Sequence, residues 1–172
     1  LKKDLRLTDH APINAAIANG KPFILIYFFE PHLIKDAHYS RRHWRFIYQG
    51  LIDLKERSRE LPIEIFWSHT EVIPFLNKLL QFFSIEKIFS HEETGLQITY
   101  DRDLKLAKYF KSKGIEWKEF QWNGVLRGKS NRNGWKNAWY QYMGSSFIEP
   151  DWQSIVPIPE DTIQRLKSLL QE

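Results

Sequence analysis

The stretch PFILIYFF at residues 22–29 is a nearly unbroken run of apolar and aromatic side chains. Its length suits one β-strand, and the lack of alternating polar residues indicates a strand that is covered on both faces. Parallel sheets are covered in this way by the helices that connect successive strands. This stretch therefore predicts an α/β fold, with helices expected on either side of it in the sequence.

The sequence around this stretch alternates between helical and strand-like patterns. After Ser40, a favourable helix cap, Trp44, Leu51 and Leu54 share one apolar face, and Gly114 is a typical helix end. At the first helix, Thr8 or Asp9 is the expected cap. The patterns predict helices over residues 10–19, 40–60, 70–83 and 96–113, and strands over 22–29, 63–67, 85–89 and 115–120.

Strands and helices that alternate at intervals of about 30 residues are typical of right-handed crossovers. The predicted fold is therefore a Rossmann-like, doubly wound parallel sheet with helices on both faces. In such a sheet a central strand normally precedes the first helix. Residues 1–9, LKKDLRLTD, are expected to form the loop that leaves this strand, so that the first strand is largely missing from a sequence that starts with Leu1.

Composition changes after Phe120. Residues 1–122 are expected to form the α/β domain, and residues 123–172, which are rich in Gly, Asn, Ser, Pro and Trp, a connector toward a further domain. Two helices are predicted in the connector, over residues 135–143 and 160–171.

Charge and cysteine content restrict the function classes. The chain has 25 Lys and Arg against 21 Asp and Glu, which gives a net charge of +4 and is compatible with nucleic acid, an anionic ligand or simple solubility. It has no cysteine, which excludes disulfides, thiolate metal sites and a cysteine nucleophile. No apolar run approaches the ~20 residues that span a bilayer, so no membrane partner is expected, and the lack of cysteine makes a cytoplasmic location the default expectation.

Motifs for common enzyme classes are absent. HEETG at residues 91–95 lacks the second histidine of a zinc-protease helix, because Gly95 stands in its place. The chain has no G-x-G-x-x-G, no phosphate-binding P-loop and no G-x-S-x-G. The sequence therefore predicts neither catalytic residues nor a metal site within these residues.

Four longer motifs stand out in the chain: KKDLRLTDH (2–10), FFEPHLIKDAHYSRRHWRF (28–46), TYDRDLKLAKYFKSKGI (99–115) and NGVLRGKSNRNGWKNAWYQYM (123–143). Together they resemble the N-terminal α/β domain of the DNA photolyase and cryptochrome family, over residues 1 to about 145. The first is similar to the family signature Arg-x-Asp-Leu-Arg-x-x-Asp-Asn, with Lys2 or Lys3 in place of the first arginine and His10 in place of the last residue.

The resemblance implies a sheet of about five strands in a larger flavoprotein. Family members join such a domain, which often holds a light-harvesting antenna chromophore, to a helical domain that binds flavin adenine dinucleotide (FAD). Photolyases use blue light to repair UV-induced pyrimidine dimers, and cryptochromes use similar machinery for signalling. The expected partners are the chain's own C-terminal FAD-binding domain and, through the full-length protein, damaged DNA. The fragment alone is expected to be non-catalytic. A free-standing mononucleotide-binding module and an interaction domain stay open as alternatives.

Site residues are expected where strands end, since open α/β sheets bind ligands there. Phe28 and Phe29 could instead be core residues, and the acidic turn after the third predicted strand could be plainly solvated. Asp103 is a candidate partner of Arg6 by analogy with the family. Antenna candidates are Phe28, Phe29, Glu30, Asp36, Arg42, Glu92, Glu93 and Gln97, and candidates for fixing loops are Asp4, Arg6, Asp9, Arg102 and Asp103.

The resemblance also bears on which antenna is bound. Members that carry folate have an Asn-Glu pair where this chain has Ile98 and Thr99. A deazaflavin, flavin mononucleotide (FMN) or lumazine is therefore favoured over folate, and a domain without an antenna stays open. In the connector, Arg127, Lys129, Arg132 and Lys136 stand among aromatic residues, which suits either a single-strand binder or, in the favoured interpretation, a solvated linker helix.

Overall fold

A computed structural model describes residues 1–128 and 131–171, and the fold within them is α/β, as predicted. Lys129 lies outside the described residues. The strands are β1 (Ile24–Phe28), β2 (Glu64–Ser68), β3 (Lys87–His91) and β4 (Glu116–Phe120). The helices are α1 (Ala11–Ala18), α2 (Pro31–Ile34), α3 (Arg41–Arg57), α4 (Val72–Leu79), α5 (Gln97–Lys113), α6 (Trp135–Met143) and α7 (Glu160–Gln171), with a 3-10 turn at Trp152–Ser154.

The strands are parallel, and they form two pairs. β1 pairs with β2, so that Ile24 lies opposite Glu64, and β3 pairs with β4, so that Lys87 lies opposite Glu116. Within the described residues no ladder joins the two pairs. The predicted Rossmann-like class is confirmed, with its sheet divided into two halves.

Side chains of β1 point alternately into two apolar clusters. Leu25 packs with Ile13 and Leu54 in one cluster, whereas Ile24, Ile26 and Phe28 pack against the other. Because successive residues of a strand face opposite sides of a sheet, helices cover both faces. The second cluster contains Phe66, Phe75, Leu76, Leu79, Leu106, Phe110, Ile115 and Leu166.

The helix ends agree with the local sequence signals, except at the start of α1. Gly114 ends α5 with φ of +69°, a left-handed conformation that glycine adopts without a Cβ clash. The predicted cap of α1 at Thr8 or Asp9 is wrong. His10 is the cap, and its Nδ1 accepts a hydrogen bond from the Ile13 N–H at 3.2 Å.

The C-terminal segment packs against the α/β core. Ile163 and Leu166 of α7 are buried, and Leu166 belongs to the same cluster as Phe75. Upstream of α7, the Ile148 carbonyl accepts a hydrogen bond from the His10 N–H at 2.9 Å. Ile148 and α7 therefore contribute to the domain's packing, while the role of residues 123–172 as a connector stays a prediction.

None of the helices within residues 1–128 and 131–171 combines the length and apolarity that crossing a bilayer requires.

Candidate site at the carboxyl edge of the strands

A buried network of ion pairs lies beyond the carboxyl ends of β1 and β3. Its centre is Arg102 on α5, whose guanidinium lies 2.7 Å from Glu30, 2.8 Å from Asp103 and 3.6 Å from Glu93. The Glu30, Glu93 and Asp103 side chains are each no more than 5% exposed. Glu30 follows β1 and Glu93 follows β3, so one arginine joins the two half-sheets.

The two lysines of the first loop complete this network. Lys2 Nζ lies 2.6 Å from Asp103 Oδ2 and donates to the His91 carbonyl at 2.9 Å. Lys3 Nζ lies 3.2 Å from Glu93 Oε1. The opening KKD segment is thereby fixed between β3 and α5, where charge-assisted hydrogen bonds are stronger than they are in water.

Burial and pairing oppose each other at Glu30. Burial raises the pKa of Glu30 above its usual 4.5, and the neighbouring Arg102 counteracts only part of this effect. For Arg102, burial alone would lower the pKa, but Asp103 and Glu30 outweigh it and raise the pKa above its usual value. The positive charge of Arg102 therefore offsets part of the free-energy cost of burying these carboxylates.

A second buried cluster joins Asp4, His10 and His91. Asp4 Oδ2 lies 2.5 Å from His91 Nδ1 and 3.3 Å from His10 Nε2. Burial would raise the pKa of Asp4, but the two histidines hold it well below 3.8. Burial lowers the pKa of His10 below 6.5. The neutral form of His10 is thus favoured in the folded protein.

The hydrogen bonds of this cluster leave His10 without a free nitrogen lone pair for a metal ion. Asp4, His10 and His91 offer three ligand atoms within 4.8 Å of one another. However, His10 Nδ1 accepts from the Ile13 N–H, which leaves the ring proton on Nε2, and Nε2 then has no lone pair for a metal. A second grouping, Glu30, His32 and Glu71, has Glu30 already engaged by Arg102.

The loop-fixing candidates take partly different partners from those expected. The predicted Arg6–Asp103 pair does not form: Arg6 Nη2 donates to the Asp9 carbonyl at 2.7 Å, and Asp103 pairs with Lys2 and Arg102. Asp9 has a positive φ of 48°, and its Oδ1 accepts from the Ile148 N–H at 3.1 Å. Arg6 and Asp9 therefore fix their own turn.

The antenna candidates do not all meet at one place. Glu30 and Glu93 converge on Arg102, as described. Phe28 packs edge-to-face on Phe75, with ring centroids 5.2 Å apart, so Phe28 belongs to the core. The others lie apart: Asp36 accepts from the His38 N–H, Gln97 donates to Asp101, Glu92 lies near Arg127, and Arg42 is exposed.

Phe29 belongs to an aromatic group that we call the edge cluster, made of Phe29, Tyr39, Trp44 and Tyr48. Its ring centroids lie 6.2 Å apart for Phe29–Trp44, 4.9 Å for Tyr39–Trp44 and 6.4 Å for Phe29–Tyr48. Trp44 Nε1 is buried and, within the described residues, has no hydrogen-bond partner. Sequence reasoning placed Trp44 on a core-facing stripe and did not name Tyr39, although Tyr39 lies within residues 36–42, which were expected to line a crevice beyond β1.

A cavity of about 450 Å³ runs between the half-sheets and reaches this cluster. Glu30, Leu33, Tyr39, Trp44 and Ile47 line it near the end of β1. Its volume lies within the range of roughly 300–1,000 Å³ found for small-molecule sites.

Comparisons with known proteins point to one protein family. A family model described as DNA photolyase matches residues 1–138. Among solved structures, the chain is similar to an archaeal photolyase from Sulfolobus tokodaii, with a TM-score of 0.65 and 21% sequence identity. That crystal structure is described as containing two FAD molecules, with the implication of a novel light-harvesting cofactor. The match covers 97% of this chain and 40% of the archaeal chain. A search of curated proteins gives no match.

Proposed function

This chain belongs to the DNA photolyase family, and from that premise we propose that it is the light-harvesting N-terminal domain of a deoxyribodipyrimidine photolyase. The parent protein would use blue light and FAD to split pyrimidine dimers in UV-damaged DNA. The chain spans 40% of the length of the photolyase it resembles. We therefore assign catalysis, the catalytic FAD and most of the DNA contact to a helical domain outside this chain, and we place the protein in the cytoplasm, in keeping with its lack of cysteine.

The observation that carries the antenna role is the unpaired indole N–H of Trp44 in the wall of the cavity. A buried donor without an acceptor is unfavourable, and a ligand carbonyl would relieve it. Tyr39, which also lines the cavity and packs beside Trp44, supplies flat apolar surface for a ring system. The ligand class that combines fused rings with ring carbonyls is a flavin or deazaflavin.

We favour a flavin-type antenna over folate for two reasons. The archaeal photolyase of similar fold contains two FAD molecules. In addition, Thr99, at a position where folate-binding members have an acidic residue, is buried and its hydroxyl donates to the Leu96 carbonyl at 2.8 Å. Thr99 thus offers no carboxylate to a pterin.

Flavin binding tests this proposal. We expect FMN, FAD or a deazaflavin to bind the purified chain, with quenching of flavin fluorescence. Trp44→Phe should weaken binding roughly 2- to 10-fold, because one net hydrogen bond contributes about 0.5–1.5 kcal/mol. Trp135→Phe, a change to a partly exposed indole on α6, is the matched control and should leave binding unchanged. Absence of binding for all three compounds would overturn the antenna role.

Repair itself requires the full-length parent. Illumination with blue light in the presence of UV-irradiated DNA should restore pyrimidine monomers. Photoreduction of FAD without any dimer splitting would instead identify a cryptochrome-type photoreceptor.

A further inference from the structure

The first half of α3 carries a basic and aromatic surface that the proposed function does not use. We call this surface the arginine face, and it is made of Arg41, Arg42, Arg45 and Phe46. All four residues are exposed, and Phe46 is 76% exposed. The arginine face shares no residue with the edge cluster. Its chemistry therefore needs an explanation other than the antenna.

The three arginines of this face have no counter-charge. In the described part of the chain, none of their side chains makes an ion pair or a hydrogen bond. The far end of α3 differs, because Arg57 lies 3.7 Å from Asp53, and Arg59, just past the helix, lies 2.6 Å from Glu56. Residues 31–52 contain four Lys and Arg but only one carboxylate. The unbalanced positive charge is therefore local to the start of α3.

This arrangement is unfavourable for the helix by itself. Arg41 and Arg45 are one turn apart, a spacing at which like charges repel. The first turn of α3 contains no acidic residue, and cations near a helix N-terminus oppose the helix dipole. A polyanion bound along the arginine face would remove both costs.

The types of side chain favour nucleic acid among the polyanions. The planar fork of arginine matches phosphate oxygens, and Phe46, one turn after Arg42, offers an exposed ring beside the charge. Aromatic rings among cations stack on the unpaired bases of single strands. An anionic bilayer would instead need an apolar helix face to enter, and Leu51 and Leu54 of α3 are buried in the domain.

We propose that the arginine face binds single-stranded nucleic acid, with its three guanidinium groups on backbone phosphates and a base stacked on Phe46. This gives the chain a nucleic-acid contact of its own, which requires no lesion. The inference goes beyond the proposed function, because it needs neither a flavin nor the helical domain. Failure of flavin binding would leave it standing, and the reverse also holds.

Fluorescence anisotropy with labelled oligo-dT and oligo-U of about 16 nucleotides measures binding by the purified chain over a range of salt concentrations. One double variant, Arg42→Gln with Arg45→Gln, removes two charges from the arginine face. The matched control, Arg57→Gln with Arg59→Gln, removes the same charge near the other end of the helix, where both arginines have carboxylate partners.

A second pair of variants tests stacking. Phe46→Ala removes the exposed ring of the arginine face, and Phe82→Ala removes a ring that is 50% exposed elsewhere on the domain. Because all the substituted residues are exposed, we expect every variant to fold, and circular dichroism checks this.

Three phosphate contacts on a single strand should make log K fall with log salt at a slope of about −2. The Arg42 and Arg45 double variant should reduce the slope by about 1.4, since each phosphate contributes about 0.7, and the control pair should leave it unchanged. Phe46→Ala should weaken binding roughly 5-fold or more, and Phe82→Ala should have no effect. Tighter binding of either oligo-dT or oligo-U supports the inference and identifies DNA or RNA as the preferred strand.

Equal losses in the two double variants would overturn the inference, because binding would then follow net charge alone. Absence of binding at about 50 mM salt would also overturn it. So would tighter binding of a duplex that is insensitive to Phe46→Ala. The last arm uses vesicles of phosphatidylserine and phosphatidylcholine: binding that depends on Arg42 and Arg45 with vesicles, but not with the oligonucleotides, would assign the face to a membrane instead.

Discussion

Replacement of Arg102 by methionine tests the reasoning about the buried ion network. Methionine keeps much of the apolar stem and removes the charge. Asp103 would retain Lys2 at 2.6 Å, and Glu93 would retain Lys3 at 3.2 Å. Glu30, which is 2% exposed, would lose its basic partner at 2.7 Å.

The expected cost follows from this single orphaned carboxylate. Removing one partner of a buried ion pair destabilises a protein by about 3–5 kcal/mol, since an uncompensated charge remains. Burial already raises the pKa of Glu30, and loss of the arginine would raise it further. The cost should therefore be largest near pH 7 and shrink near pH 5, where Glu30 can take up a proton.

Urea unfolding at pH 7 and pH 5 measures the effect. Arg57→Met is the matched control, because Arg57 is 59% exposed and lies 3.7 Å from the exposed Asp53; its cost should stay below about 1 kcal/mol. Glu30→Gln added to Arg102→Met should recover part of the loss. A cost for Arg102→Met below about 1 kcal/mol at pH 7, or a cost that grows at pH 5, would refute the argument.

Two further predictions concern the histidine cap and the core. His10→Asn replaces the capping ring nitrogen with an amide oxygen, which can accept the same hydrogen bond but cannot titrate. Because the folded pKa of His10 lies below 6.5, wild-type stability should fall as the pH drops from 7 to 5.5, by up to about 1.4 kcal/mol per pH unit, and this component should vanish in the variant. The low pKa of Asp4 keeps its own contribution outside this range, and equal slopes in the two proteins' urea unfolding would contradict the assignment. Leu51→Ala should cost about 2–5 kcal/mol because Leu51 is 0% exposed, whereas Ile52→Ala, at a side chain 48% exposed, should cost far less. Similar costs for the two in thermal unfolding would show that α3 packs on a different face.

The sequence was sufficient to predict the strands and helices because the patterns that indicate them are local. The apolar run that contains β1 and the helical spacing of Trp44, Leu51 and Leu54 each lie within one segment. Gly114 marks the end of α5 through its own backbone conformation. Such features depend on few neighbours, so the order of strands and helices could be predicted.

The site depended on contacts that sequence spacing does not encode. Lys2 and Asp103 are 101 positions apart, and their pairing follows from where α5 lies against the first loop. Arg6 had an equally plausible partner in Asp103, but the turn at Asp9 offers it a carbonyl within a few residues. His10 was missed as a cap because its role requires a ring orientation fixed by burial.

The position of α7 has a practical consequence for defining the domain. The family model ends at residue 138, yet Leu166 fills the core beside Phe75, and Ile148 is bonded to the loop at His10. A protein trimmed to the matched region would expose that apolar surface and free the turn at the end of the first signature motif. Expression boundaries chosen by sequence similarity alone would therefore yield an aggregation-prone fragment, whereas an end point beyond residue 170 retains the covering helix.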